Sequence, residues 1–92
     1  MRNIKLYTPV TCPDGLTVSI QASEVHYCTP RDNTGPYTSV ELGFPNQIPP
    51  KEILEYADDK DSPTDTVYGY VPVDLVKEWI ESHGGKLPDG IL

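Results

Sequence analysis

Proline punctuates this chain more than any other residue. Ten of its ninety-two residues are proline, roughly twice ordinary usage. Each one fixes φ near −65° and removes a backbone donor. Short elements joined by stiff turns are therefore expected, and long helices are not. The length suits one domain of modest stability, because a chain this short buries only about 60–65% of its unfolded surface.

Between the breaks, alternation marks the strands. Residues 3–10 read as a first strand, with Ile4, Leu6 and Val10 on one face. Pro13-Asp14-Gly15 has turn chemistry, and Leu16-Thr17-Val18-Ser19-Ile20 alternates strictly. Pairing Val10 with Leu16, Leu6 with Ile20 and Ile4 with Ala22 gathers the apolar residues on one side of a hairpin. Parity changes after Ala22, which predicts a bulge or break near Ser23. A polar loop at 29–36 leads to a third strand at 37–44, with Val40, Leu42 and Phe44 inward. Its pairing with residues 21–28 would set Val40 against Val25.

The second half mixes helix and strand. Residues 50–57 read as a short helix, 66–71 as a fourth strand, and the stretch after Pro72 as the best helix. In that helix Val73, Val76, Trp79 and Ile80 share a face, and Gly84-Gly85 suits the stop. The expected fold is α+β: a three- to four-stranded, mostly antiparallel sheet begun by an N-terminal meander, with two short helices packed on one face. Residues 1–85 form the domain and 86–92 a loose tail.

Charge is the second constraint. The net charge is −7. Residues 1–50 carry three bases and four acids, net −1, and residues 51–92 carry four bases and ten acids, net −6. Such a chain is ill suited to nucleic acid or an anionic membrane, which both call for positive surface, and well suited to a basic protein partner. No apolar leader follows Met1-Arg2-Asn3-Ile4-Lys5 and no apolar run is long enough to span a bilayer. With two cysteines only, reduced thiols in a cytoplasm are expected.

Few residues offer reactive chemistry. Cys12, Cys28, His26 and His83 make a Cys2His2 set on paper, without the paired spacing of a zinc site. His26 and Cys28 would share a strand face and are the basis of an alternative reading, a small metal-binding or ligand-binding domain or enzyme. Cys12, at the first turn, lies far from Cys28 if the second strand runs straight, which opposes a disulfide. No local signature supports a Cys/His nucleophile pair, and His83 at a helix end suits the negative pole of the helix dipole. The aspartates after residue 57 resemble a calcium loop. Counting from Asp59, however, the sixth position is Thr64 rather than glycine and the twelfth is Tyr70 rather than glutamate. The glycines never cluster into a phosphate-binding loop. No catalytic residue, metal or cofactor is assigned.

What remains is a surface. Glu52, Glu55, Asp58, Asp59, Asp61 and Asp65 place six acids within fourteen residues, relieved only by Lys60. The strand that follows alternates Val67 and Val71 with Tyr68 and Tyr70. If the valines face the core, both tyrosines are displayed beside the acids, as in many binding surfaces; otherwise they pack beneath a helix. These eight residues are the candidate partner-binding set.

The segment Val67–Gly85, VYGYVPVDLVKEWIESHGG, resembles the C-terminal part of small proteins encoded in phage and prophage accessory regions. Size and acidity also resemble those of anti-CRISPR proteins and other phage-encoded inhibitors of host defence. That resemblance implies a non-enzymatic inhibitor, monomeric or a small homo-oligomer, in the bacterial host cytoplasm. Its partner would be a host protein or nucleoprotein complex whose basic, nucleic-acid-binding surface it occupies. A structural, self-assembling phage component is a further alternative.

Overall fold

The computed structural model describes residues 6–91. Its architecture is α+β. Four antiparallel strands lie in sequence order across one sheet: β1 (Val10–Thr11), β2 (Thr17–Gln21), β3 (Ser39–Gly43) and β4 (Val67–Pro72). Two helices, α1 (Lys51–Leu54) and α2 (Val73–Ser82), pack against β4 and against each other. The alternation at Val18, Ile20, Val40 and Leu42 sends these side chains into the core, where they meet Ile53 and the predicted α2 face of Val73, Val76, Trp79 and Ile80. Gly84 ends α2 with a φ of 81°, a conformation that costs a residue bearing Cβ but not glycine.

The first hairpin forms in a different register from the expected one. Val10 pairs with Val18, not Leu16, and Thr11 with Thr17. The turn is centred on Asp14 rather than on Pro13. Cys12 N–H bonds the Leu16 carbonyl at 2.8 Å, and Asp14 Oδ1 accepts the Leu16 N–H at 3.2 Å. Gly15, at φ 101°, completes the turn. A two-residue shift preserves parity, so the inward set on β2 is unchanged. Strand β1 is short, Leu6 is 72% exposed rather than inward, and Ile4 lies outside the described residues.

Amide side chains continue the ladder at both ends of β2. Beyond Val10, Gln21 accepts from Tyr7 N–H at 2.9 Å and donates to its carbonyl at 2.7 Å. Beyond Gly43, Asn46 accepts from Thr17 N–H at 2.9 Å through its side chain and donates to the Thr17 carbonyl through its backbone at 3.0 Å. Its Nδ2 also donates to the Gly15 carbonyl at 2.8 Å.

The break near Ser23 is complete. Of the expected 21–28 strand only Gln21 pairs with β3, opposite Glu41 at the end of β2; Ile20 faces Leu42 directly, and Val25 is exposed. Ser23 explains this. Its hydroxyl accepts the Val25 N–H and bonds His26 Nδ1 at 2.6 Å, and its carbonyl accepts the His26 N–H. Local bonds of this kind hold the backbone in a turn that competes with the ladder. Two more expectations are corrected. Phe44 turns outward because its φ is 51°. Residues 86–91 do not hang loose, since Leu87 and Ile91 join the core and Tyr37 N–H bonds the Ile91 carbonyl at 3.2 Å.

Candidate interaction surface

Helix α1 buries Ile53, which turns Glu52 and Glu55 to solvent. The chain then loops back on itself. Ala57 bridges Tyr68, Asp58 N–H bonds the Val67 carbonyl at 2.9 Å, and Asp59 N–H bonds Thr66 Oγ1 at 3.0 Å. Within the loop, Asp61 N–H bonds Asp59 Oδ1, Ser62 N–H bonds the Asp59 carbonyl, and Asp65 N–H bonds the Ser62 carbonyl. Tyr68 fastens the loop from below by donating its hydroxyl to the Pro63 carbonyl at 2.6 Å. All six candidate carboxylates are exposed, and among the described residues none is in a salt bridge. The acidic segment is thus fixed by main-chain and hydroxyl bonds and one bond to the Asp59 carboxylate, with no cation neutralising its charge among the described residues.

The two candidate tyrosines part company. Pairing of β3 with β4 slips between Val40↔Val71 and Leu42↔Tyr68, so two steps along β3 oppose three along β4. This β-bulge places Tyr70 at φ 57° and breaks the alternation. Tyr68 and Val71 both go fully into the core, while Tyr70 emerges 46% exposed. Tyr68 is therefore removed from the partner-binding set. Burial also pushes its phenol pKa up.

Tyr27 takes the place Tyr68 leaves. Its ring lies 5.8 Å from that of Tyr70, tilted by 40°, and its carbonyl accepts the Tyr70 N–H at 3.0 Å. The Tyr27 N–H is held in turn by Glu41 Oε1 at 3.0 Å. Tyr27 lies over Gly69 so closely that a Cβ there would sit 3.3 Å from the Tyr27 Cβ. Tyr27, Tyr56 and Tyr70, with Asp58, Val67 and Gly69, line a groove of about 360 Å³. Asp58 and Tyr70 are thus brought together. Glu52 belongs elsewhere, beside Glu78, Trp79 and Ser82 in a groove between α1 and α2. Tyr27 and Tyr56 were missed in the sequence; the only hint was the odd parity of Tyr27 after the break at Ser23.

The thiols and imidazoles do not assemble. Cys12 and Cys28 are both buried and free. Cys28 donates to the carbonyls of Ser23 at 3.1 Å and Pro30 at 3.4 Å, and burial raises its pKa, as it does that of Cys12. Both thiols are held in the poorly nucleophilic form. His26, which was expected to share a strand face with Cys28, sits in a turn bonded to Ser23. At the other end of the sheet His83 Nδ1 bonds Asp14 Oδ2, so it ties α2 to the first turn in addition to lying at the helix end. Among the described residues no three His, Cys, Asp or Glu side chains stand close enough to hold a metal ion, and no helix is long and apolar enough to cross a membrane.

No protein-family model, curated protein or solved structure matches this chain. The reading of the surface therefore rests on its own chemistry.

Proposed function

We propose that this chain is a non-enzymatic acidic binding protein that occupies a basic surface on a macromolecular partner. One observation carries the reading: an exposed carboxylate loop, free of salt bridges among the described residues, is fastened beside exposed tyrosines. A fixed array of negative charge steers a basic partner towards it and sets orientation. Half-exposed tyrosines add apolar contact with a polar rim, the composition of binding hot spots. In its specific form, the proposal is a phage-encoded inhibitor of the anti-CRISPR type, covering the nucleic-acid-binding face of a host defence complex in the bacterial cytoplasm. The binding set is Glu52, Glu55, Asp58, Asp59, Asp61, Asp65 and Tyr70, joined by Tyr27 and Tyr56.

The test is competition. Tagged protein is used to capture complexes from bacterial lysate, and each captured complex is assayed for nucleic-acid binding with wild type or with the D58K/D59K/D61K variant added. Wild type should displace nucleic acid, with an effect that weakens as salt rises, and the triple variant should not. Equal displacement by both proteins, or none by either, would overturn the proposal.

A further inference from the structure

We infer that the groove between Tyr27, Tyr56 and Tyr70 is a receptor for one arginine side chain of the partner, with Asp58 as its counter-charge. The inference rests on the reading above, which asks for a basic partner, and it names the point at which that partner is gripped.

Three observations converge. The lining combines aromatic rings with a single exposed carboxylate, a composition that attracts a cation through ring quadrupoles and Coulomb force together. Its volume, about 360 Å³, lies at the small end of ligand sites, enough for one long side chain. One ring of the aromatic wall already lies beside a guanidinium: the Arg31 guanidinium carbon is 5.8 Å from the centre of the Tyr27 ring. Arg31 is not among the residues lining the groove, so the groove itself stays open to a guest. A planar guanidinium can stack on a tyrosine and bond a carboxylate with its edge, which a lysine ammonium does less well.

The backbone supports the same conclusion. Tyr70 stands at the groove where the β4 bulge holds it in the left-handed region, a conformation unfavourable for a side chain bearing Cβ. Bulges of this kind redirect side chains at working sites. Glycine would satisfy the backbone with less strain; a tyrosine there supplies a ring.

Titration of the ¹⁵N-labelled full chain with an acetylated, amidated tri-arginine peptide tests this, with tri-lysine and tri-norleucine peptides as controls. Saturable shifts are expected at the amides of Tyr27, Asp58, Gly69 and Tyr70, stronger with arginine than lysine and absent with norleucine. Tyr70→Gly and Asp58→Asn should each weaken arginine binding roughly three- to tenfold; both replace exposed side chains, so either variant serves if the other folds poorly. Shifts confined to residues 59–65, with the groove silent, would overturn the inference yet leave the basic-partner reading intact. Undiminished groove binding in both variants would overturn it as well. Silence throughout would overturn it and count against the reading beneath it.

Discussion

Strands β1 and β4 both lie at the margins of the sheet, and they are closed by different means. At β1 the strand is cut to two residues, and the chain before it is held by the side-chain amide of Gln21. Behind it, Asp14 and His83 tie the turn to α2, and Gly85 lets Cys12 sit close against the helix end. At β4 the strand is longer, is broken by a bulge, and gives main-chain bonds to the 57–58 segment and to Tyr27. Exposed edges invite pairing with other chains, and both devices prevent it. Only the second holds a residue bearing Cβ in the left-handed region and gathers three tyrosine rings and a carboxylate in one groove. The first margin is closed by ties between elements, and the second also gathers the side chains proposed to meet a partner.

Substitutions can break or sharpen this contrast. The largest effect is expected at Tyr68, which lies wholly in the core beneath the acidic loop. Tyr68→Ala should cost about 3–5 kcal/mol of unfolding free energy in urea denaturation. Tyr68→Phe should cost about 1 kcal/mol and raise hydrogen exchange at Ser62 and Asp65, since only the bond to Pro63 is lost. Equal exchange in wild type and Tyr68→Phe would show that the loop is fastened by its own bonds alone.

At the β1 margin, Gly85→Ala places a Cβ 2.6 Å from the Cys12 Sγ and 3.1 Å from Ile80 Cγ2. Overpacking of this sort should cost about 1–3 kcal/mol. In a Cys12→Ala background the added penalty should fall well below its wild-type value, a coupling that a double-mutant cycle on thermal midpoints would measure.

A smaller effect of unusual sign is expected at β4. Strand interiors ordinarily favour alanine over glycine, but at φ 57° Tyr70→Gly should be more stable than Tyr70→Ala by about 1 kcal/mol. The reverse order in chemical denaturation would mean that the bulge relaxes when the ring is gone.

The smallest expected effect is electrostatic. The Leu16 N–H, and then His83, hold the Asp14 carboxyl pKa below the usual range. A group whose folded pKa is depressed contributes stability that is fully present above its unfolded pKa and is lost as the pH falls through the folded value. Asp14→Asn should therefore flatten the acid limb of the stability profile below about pH 5. Some slope will persist, because Asp32 is likewise lowered by the N–H groups of Gly35 and Thr34. An unchanged acid limb would show that neither the Leu16 bond nor the tie to α2 favours the charged Asp14 in the folded chain.

The difference between the margins also accounts for what could be read in the sequence. Helix α2, the inward set on β2 and the antiparallel order were legible because periodic burial writes them directly into residue spacing. Register was not, since a two-residue slip leaves the pattern unchanged and the turn's own bonds, such as Cys12 N–H to the Leu16 carbonyl and Leu16 N–H to Asp14, leave no periodic trace. The site was half legible. Asp58 and Tyr70 follow from charge and strand alternation, yet the bulge that separates Tyr68 from Tyr70 leaves no periodic trace. Tyr56 lies two residues before Asp58, inside the acidic segment, whereas Tyr27 comes from a distant part of the chain and only the fold brings it to them.

Asn46 carries a chemical consequence of its own. Its amide gives a proton to Gly15 and receives one from Thr17, two directions that a carboxylate cannot serve. Spontaneous deamidation there would turn an attraction at the hairpin tip into oxygen facing oxygen. Slow ageing of this kind would loosen the corner where β2 begins, at a residue that does not line the tyrosine groove.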